Sequence, residues 1–330
     1  MKTFEYSRPK SIQEAISLKN GSPDARFLAG GTNLIDLMKY NVEEAATLID
    51  VTHLPISKVE DTKTGGLMVG ALVRNSDLAK DPRVLRRYPV LSQAILNGAS
   101  PQLRNMATTA GNLLQRTRCY YFYDTAFPCN KRQPGSGCPA IAGYNRIHAI
   151  LGQSDQCIAV HPSDMCVALA ALDSVIHVQG KNGSRTIPML DFHRLPENSP
   201  NIDTNLQSDE LITAVELLPL PVARNSSYLK VRDRSSYAFA LVSVGAALEV
   251  NKGQVTNARI ALGGVAHKPW RAQDAEKSLI GQPANEDSFK QAAELALNGA
   301  KGYEHNQFKI ELAKRAIVRT LSDMASGGNS

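Results

Sequence analysis

The sequence predicts a mixed α+β protein of two or three domains. Its 330 residues exceed what one hydrophobic core usually organises. Strand-like and helix-like segments alternate through the first two thirds of the chain. From about residue 225 the pattern changes to β-rich runs followed by two amphipathic helical stretches. We therefore place a domain boundary near residue 220, at the proline-bearing segment LLPLPVARN.

Capping and turn residues predict the elements of the first half. Ser11 followed by Glu14 forms a capping box, which predicts a helix over SIQEAISL. The segment ARFLAGGTNLIDLMK predicts a strand, a glycine turn and a helix. Residues 47–51 and 67–73 are typical of strands, and residues 84–97 of a helix that ends at Gly98. Residues 99–118 have no clean period and predict a functional loop.

The same kinds of signal predict the elements in the second half of the chain. The apolar run CIAV, residues 157–160, predicts a buried strand, and Pro162 with Ser163 and Asp164 predicts the start of a helix. A turn at Asn182 and Gly183 predicts a hairpin. Beyond residue 225, the β-rich runs break at residues 251–253, and helices are expected near 286–299 and 308–325.

Composition narrows the classes of function. The formal net charge is +6, but Lys and Arg are dispersed among acids and form no long basic run. Binding to nucleic acid is therefore disfavoured, and a basic surface facing an acidic partner or an anionic cofactor explains the charge equally well. No apolar run approaches the roughly 20 residues of a membrane span. The N-terminus shows no export signal, so we expect folding in the cytoplasm, with co-export beside a signal-bearing partner left open.

Two glycine-containing turns indicate an anion site. Gly30 and Gly31 separate a predicted strand from a predicted helix, and Thr32 and Asn33 add side-chain donors. Successive amides at a helix start suit a pyrophosphate, although an ordinary βα turn is an equal alternative. The pattern is neither G-x-G-x-x-G nor Walker A. A second such turn, TTAGNLLQ at residues 108–115, favours a long diphosphate ligand.

All five cysteines lie between residues 119 and 166. The gaps contain nine, eight, eighteen and eight residues, so the close pairs typical of zinc sites are absent and zinc is less favoured. Four thiolates on a long loop can hold a [4Fe–4S] cluster, and a set of unrelated buried thiols is the alternative. Cys166 lies in the apolar run MCVALAAL and is expected in the core.

Basic residues flank the cysteines. We expect them to offset the charge of a thiolate cluster and to lower the thiol pKa values. They are Arg116, Arg118, Lys131 and Arg132.

Five motifs, in this order, resemble the FAD-binding subunit of the molybdenum hydroxylases, the family of xanthine dehydrogenase and carbon monoxide dehydrogenase. They are AGGTNLID, QLRNMATTAGNL, HPSDM, KVRDRSSYAFALVSVGAAL and ARIALGGVAHKPWRA. The cysteine-bearing insertion resembles that of the FAD subunit of periplasmic-type bacterial aldehyde oxidoreductases and, more distantly, that of 4-hydroxybenzoyl-CoA reductase. The resemblance covers nearly the full chain.

The resemblance implies a two-lobed FAD-binding domain of the vanillyl-alcohol-oxidase/PCMH type over residues 1–220, followed by a C-terminal α+β domain over 221–330. The lobes are 1–55 and 56–220, and the iron–sulfur insertion is 116–160. The FAD diphosphate would lie in the turn formed by Leu28, Ala29, Gly30, Gly31, Thr32, Asn33 and Leu34. The second wall would be formed by Thr108, Gly111 and Asn112. Asp164 matches an acid near the ribityl or diphosphate region, and Lys230 a lysine near the isoalloxazine. The implied cluster ligands are Cys119, Cys129, Cys138 and Cys157.

The function implied is electron transfer. A molybdopterin large subunit would oxidise an aldehyde to a carboxylic acid, and electrons would pass through [2Fe–2S] centres of a small subunit to FAD in this chain, then to an external acceptor. No catalytic acid, base or nucleophile is therefore expected here. The aromatic residues 120–123 are expected to cover the cluster or to anchor the loop in a core. Two alternatives stay open: a stand-alone FAD-dependent NAD(P)H reductase, and a scaffold subunit in which four cysteines bind zinc.

Overall fold

The chain, described here over residues 1–327 in a computed structural model, contains three β-sheets and a set of helices packed on them. This content confirms the predicted α+β class. Residues 328–330, the end of the predicted C-terminal domain, lie outside the described residues. No helix within the described range has both the length and the apolar character that a bilayer crossing requires.

The first sheet is small and parallel. Its elements in chain order are β1 (Glu5–Ser7), α1 (Ile12–Gly21), β2 (Arg26–Leu28), α2 (Leu34–Lys39) and β3 (Thr47–Asp50). The strand order is β1–β3–β2. The Ser11 hydroxyl accepts a hydrogen bond from the Glu14 amide at 3.1 Å, which confirms the predicted start of α1. The glycine turn lies between the end of β2 and the start of α2.

The second sheet has five antiparallel strands. They are β4 (Val59–Asp61), β5 (Leu67–Gly70), β6 (Val175–Gly180), β7 (Gly183–Pro188) and β8 (Leu211–Leu217). Their order is β4–β5–β8–β6–β7. The helices of this region are α3 (Asn75–Lys80), α4 (Pro82–Arg87), α5 (Pro89–Asn97), α6 (Pro101–Arg104), α7 (Thr109–Leu113), α8 (Tyr120–Tyr123), α9 (Asp164–Ala171) and α10 (Met189–Phe192). The apolar faces of α5 and α9 belong to the same buried core as β5, β6 and β8.

Two helical predictions in this region need correction. The helix expected over 84–97 is the pair α4 and α5, because Pro89 has no N–H to donate to the preceding turn and instead starts a new helix. The segment 99–118, predicted as a loop, contains the short helices α6 and α7, whose first turns are capped by Ser100 and Thr108.

Two strand predictions also need correction. Residues 157–159 are buried, but the segment 157–160 forms a single bridge at Cys157 and no strand, because its backbone bonds go to loops such as the one at Ala149. The predicted hairpin is present as β6 and β7, but its turn is Lys181 and Asn182. Gly180 pairs with Gly183, so the turn lies one residue earlier than predicted.

The third sheet is antiparallel and carries the C-terminal helices. After a 3₁₀ helix (Pro221–Arg224) come β9 (Ser226–Val231), β10 (Val242–Asn251), β11 (Gln254–Gly263), β12 (Trp270–Arg271), α11 (Gln273–Leu279), α12 (Glu286–Ala296) and α13 (Phe308–Ala325). The strand order is β12–β11–β10–β9. The predicted break after β10 is a tight turn, in which Lys252 and Gly253 have φ of 50° and 77°. The predicted helices near 286–299 and 308–325 are confirmed; α11 and β12 were not predicted.

The third sheet packs directly on the second region. Gly263 in β11 makes this possible, because an added Cβ there would lie 2.5 Å from a side-chain carbon of Val167 in α9. Arg259 and Arg271 of the same sheet form ion pairs with Asp173, at 2.8 Å and 2.5 Å. The residues that line the space between the sheets therefore come from all three parts of the chain.

Candidate functional site

A cavity of about 1150 Å³ lies between the three sheets. Pockets for drug-sized ligands measure about 300–1,000 Å³, so this volume suits a larger molecule such as a dinucleotide. The cavity is lined by all twelve predicted FAD-binding residues: Leu28, Ala29, Gly30, Gly31, Thr32, Asn33, Leu34, Thr108, Gly111, Asn112, Asp164 and Lys230. The fold thus brings residues that are distant in sequence to the walls of one space.

The glycine turn between β2 and α2 is suited to an anion. Gly31 has φ of 70°, which a residue with a side chain adopts only with strain. At Gly30 a Cβ would lie 2.0 Å from the carbonyl oxygen of Met106, so the backbone just before the second turn passes close to the first. Within residues 1–327, the amides of 29–33 make no hydrogen bond to a backbone carbonyl. These donors, together with the unpartnered buried Nδ2 of Asn33, fit the oxygens of a diphosphate.

The second turn, at the start of α7, faces the same space. Thr108 caps the helix by accepting from the Gly111 amide at 3.2 Å. A Cβ added at Gly111 would meet only that hydroxyl, so the glycine leaves open room beside the cavity. Asn112 is fixed by the Ser163 hydroxyl, which donates to Asn112 Oδ1 at 2.6 Å. The Arg116 amide donates to Asn33 Oδ1 at 2.8 Å, which ties the two turns together.

Asp164 and Lys230 form a buried ion pair, with Lys230 Nζ 2.8 Å from Asp164 Oδ2. Their side chains are 8% and 1% exposed. The Tyr228 hydroxyl donates to Asp164 Oδ1 at 2.6 Å, and burial beside this carboxylate raises the pKa of Tyr228 well above 10. The predicted start of α9 is nearly correct: Ser163 is the N-cap and accepts from the Cys166 amide at 3.1 Å. The pair joins α9 to β9 at the edge of the cavity.

A second, smaller cavity collects the other predicted group. It is lined by Cys119, Cys129, Cys138 and Cys157. Cys119 and Cys157 are buried, and Cys129 and Cys138 are partly exposed. Cys166 lies apart, fully buried in α9 within the main core, as predicted.

The separation of the sulfurs bears on the kind of metal site. Within residues 1–327, no three of the four cavity cysteines have their sulfurs within 4.8 Å of one another. Tetrahedral zinc, with Zn–S of about 2.3 Å, would place its sulfurs about 3.8 Å apart. In a four-iron cluster each thiolate binds a different iron, so the ligands stand farther apart. The arrangement therefore fits a cluster better than zinc.

The pKa values of Cys119, Cys138 and Cys157 are raised, so the prediction that basic residues lower the thiol pKa values is wrong for these three. Burial raises the pKa of Cys119 to about 12 and that of Cys157 to about 11. Of the flanking cations only Lys131 opposes the rise, at Cys157. The others are used elsewhere: Arg116 pairs with Glu43 and Asp203, Arg118 pairs with Asp36, and Arg132 donates to the carbonyls of Tyr121, Phe122 and Phe127.

Lys131 anchors the insertion instead. Its side chain is 1% exposed, and its Nζ forms an ion pair with Asp203 and donates to the carbonyl of Pro200 at 2.7 Å. His267, just beyond β11, lies 2.7 Å from the same nitrogen. The cations Lys131 and Arg116 hold the pKa of Asp203 well below its usual range. This network attaches the cysteine segment to both neighbouring regions of the fold.

Of the aromatic residues 120–123, two line the cysteine cavity and two pack against other tyrosines. Tyr121 and Phe122 line the cysteine cavity, as expected of residues that limit water there. Tyr120 is 49% exposed and stacks on Tyr144. Tyr123 packs edge-on against Tyr40.

Thr117, Cys119 and His148 line both cavities, so the two spaces share one wall. His148 is almost fully buried, and its Nε2 lies 3.1 Å from Cys119 Sγ. Burial and the charge of Lys309 lower the pKa of His148 to about 4. Sequence reasoning missed His148 and Lys309, since neither belongs to a motif.

A further group missed in the sequence is His161, Cys166 and His193, whose ligand atoms lie within 4.8 Å of one another. The two imidazole rings lie 4.2 Å apart, and His193 Nε2 is 2.8 Å from the carbonyl oxygen of Leu113. Because that carbonyl accepts a hydrogen bond from the ring, we assign the group to the polar core beside α7.

Comparison with known families accounts for this geometry. Residues 2–221 match the family described as the FAD binding domain in molybdopterin dehydrogenase, and residues 227–324 match the CO dehydrogenase flavoprotein C-terminal domain. The chain belongs to the FAD-binding subunits of the molybdenum hydroxylases. This confirms the family resemblance, and the chain is an FAD-binding oxidoreductase subunit.

Individual relatives agree with this assignment. This FAD-binding subunit is 51% identical to the aldehyde oxidoreductase FAD-binding subunit PaoB of Escherichia coli K12, over 98% of each chain. It is 29% identical to the glyceraldehyde dehydrogenase medium chain of Sulfolobus acidocaldarius, over 88% of this chain and 85% of that one. The structure of quinoline 2-oxidoreductase from Pseudomonas putida 86 superposes with a TM-score of 0.76 at 25% identity, covering all of both chains.

Proposed function

We propose that this FAD-binding subunit carries FAD and a [4Fe–4S] cluster in a heterotrimeric molybdenum aldehyde oxidoreductase. It would take electrons from [2Fe–2S] centres of a small subunit and pass them to an external acceptor, while a molybdopterin large subunit oxidises the aldehyde. The 51% identity to an aldehyde oxidoreductase subunit supports the substrate class and the partners. The matched families end at residue 221 and begin at 227, which supports a domain boundary near 220.

The residues that line the large cavity divide the work of holding the cofactor. The amides of 29–33 would bind the diphosphate, and the turn at Thr108, Gly111 and Asn112 would form the opposite wall. Lys230 and Asp164 neutralise each other's charge in an ion pair, so they would shape the cavity and stiffen the junction of α9 and β9. The flavin, when bound, supplies the ability to exchange electrons one or two at a time. The residues of this chain would position it and exclude water.

The shared cavity of Cys119, Cys129, Cys138 and Cys157 carries the cluster proposal. All four thiols line one space, and no three of their sulfurs lie within 4.8 Å of one another, whereas the ligands of a tetrahedral zinc ion would lie about 3.8 Å apart. The wall that this cavity shares with the large one supports a place for the cluster close to the flavin. A cluster at that position could relay electrons as well as hold the loop.

The test is an assay of iron, sulfide, zinc and flavin on the purified chain and on two cysteine variants. We expect about four irons per chain in the wild type. Cys129→Ser should lose the iron and keep the flavin. Cys166→Ser is the matched control, because this thiol is buried in α9 away from the cavity, and it should keep both.

Other outcomes would favour other functions. Zinc in place of iron would overturn the cluster and favour the scaffold hypothesis. Rapid reduction of the isolated chain by NADH or NADPH would favour a stand-alone reductase. A chain that takes up no FAD after reconstitution would overturn the central claim.

A further inference from the structure

The wall between the two cavities contains one side-chain donor aimed at a cysteine sulfur. His148 Nε2 lies 3.1 Å from Cys119 Sγ, and the ring is 1% exposed. The other ring nitrogen, Nδ1, is buried and has no hydrogen-bond partner within residues 1–327. A buried N–H without an acceptor is costly, whereas a bare lone pair is less so. The hydrogen of the neutral ring therefore belongs on Nε2, where it points at the sulfur.

The C-terminal region holds this ring in place. The carbonyl oxygen of His148 accepts hydrogen bonds from Lys309 Nζ at 2.7 Å and from Asn306 Nδ2 at 3.2 Å. Both side chains are fully buried. Lys309 Nζ also donates to the carbonyl of Gly264 at 2.5 Å, which links the start of α13 to the end of β11. The backbone at residue 148 is thus fixed by two buried side chains of the C-terminal region.

Cys119 is the cavity cysteine that also lines the large cavity. A hydrogen bond to its sulfur would act on the side of the proposed cluster that borders the large cavity. Donors to a thiolate ligand stabilise the more negative, reduced state of an iron–sulfur cluster, and so raise its reduction potential. The strength of this bond depends on how firmly the donor is held.

We propose that His148 is a positioning residue whose Nε2–H hydrogen bond to Cys119 raises the reduction potential of the cluster, and that Lys309 and Asn306 fix this donor. The inference rests on the proposed cluster. It assigns to the C-terminal region a part in redox tuning, in addition to its packing on the FAD-binding domain.

The test is an EPR-monitored redox titration of the assembled complex. His148→Phe keeps a ring of similar size and removes the donor, whereas His148→Gln retains an amide N–H at similar reach. We expect His148→Phe to lower the reduction potential of the cluster by about 59 mV. For one electron this shift is a tenfold change in the equilibrium constant of reduction. His148→Gln should recover most of this shift, and the flavin potential should change much less.

A full iron content with an unchanged potential in His148→Phe would overturn this inference and leave the cluster standing. A purified wild-type chain that holds FAD but no iron would overturn the proposed cluster, and this inference with it. A second measurement does not depend on any variant. Pulsed EPR of the reduced wild-type cluster with ¹⁵N-labelled histidine should show one weakly coupled nitrogen, and its absence would also overturn the assignment.

Discussion

The ion pair of Lys230 and Asp164 yields a prediction whose magnitude follows from burial. The two side chains are 1% and 8% exposed, and they join β9 to α9. Removing one partner of a buried ion pair leaves an uncompensated charge, which lowers the free energy of unfolding by about 3–5 kcal/mol. Each single substitution should therefore destabilise the junction of the third sheet with the second region.

The two single variants should differ. Lys230→Met leaves the Asp164 carboxylate with the hydroxyl of Tyr228 at 2.6 Å and with the N-terminal end of α9, so we expect a loss near 3 kcal/mol. Asp164→Asn leaves the ammonium of Lys230 with the carbonyl of Asn97 at 3.1 Å, so we expect a loss near 5 kcal/mol. The double variant buries no unpaired charge. Its loss should be smaller than the sum of the two by about 2 kcal/mol.

The assay is urea unfolding of flavin-saturated and flavin-depleted protein. Far-UV circular dichroism follows the whole chain, and the fluorescence of Trp270, the single tryptophan, follows the third sheet. Agreement of the two probes tests whether a two-state analysis applies. Lys290→Met is the control, because its partner Glu286 is exposed, and it should change stability by less than about 0.5 kcal/mol. Additive losses in the double variant would refute the reasoning.

Three further predictions follow from other parts of the structure. Gly111→Ala should weaken FAD binding in calorimetric titration without unfolding the chain, because the added methyl faces the cavity. Gly30→Ala should instead destabilise the fold itself, since its Cβ would lie 2.0 Å from a backbone oxygen. Wild-type affinity in Gly111→Ala would contradict the proposed cradle. Burial lowers the pKa of His193 to about 4 from a usual 6.5, so the unfolded chain binds more protons between these values and stability should fall as the pH drops from 6.5 to 4. His193→Gln should flatten that slope by up to about 1.4 kcal/mol per pH unit, and an unchanged slope would exclude this residue as its source. Lys131→Met should release the insertion from Asp203, so chymotrypsin should cleave within 116–160 faster and iron should be lost; cleavage at the wild-type rate would show that the anchor is dispensable.

The sequence was sufficient to predict those parts of the site that depend on local chemistry. A glycine turn between a strand and a helix requires particular residues in a short segment, so the turn at residues 28–34 could be recognised from the sequence alone. The five motifs, in their order along the chain, allowed the family to be recognised in the same way. The four cysteines could be grouped because they share one irregular segment, and Cys166 could be separated because it follows an apolar helical pattern.

Features that depend on distant partners could not be predicted. His148 and Lys309 are 161 positions apart, and neither is part of a recognisable motif. The same limit explains the error about thiol pKa values. Arg116 and Arg118 stand beside the cysteines in sequence, but the fold turns their charges toward Glu43 and Asp36. Burial, which depends on the whole fold, then raises the thiol pKa values.

The placement of these long-range contacts bears on what the insertion does. A loop that used a cluster only as a staple would need no support beyond its own ligands. Here the cysteine cavity is closed by groups from the rest of the chain: Lys131 is attached to Asp203, and the backbone at His148 is held by Lys309. Of the residues so fixed, His148 belongs to the wall shared with the large cavity. Rigid support at the shared wall agrees with the proposal that a cluster here would exchange electrons with the flavin, since a purely structural cluster would gain nothing from a fixed distance to the cofactor.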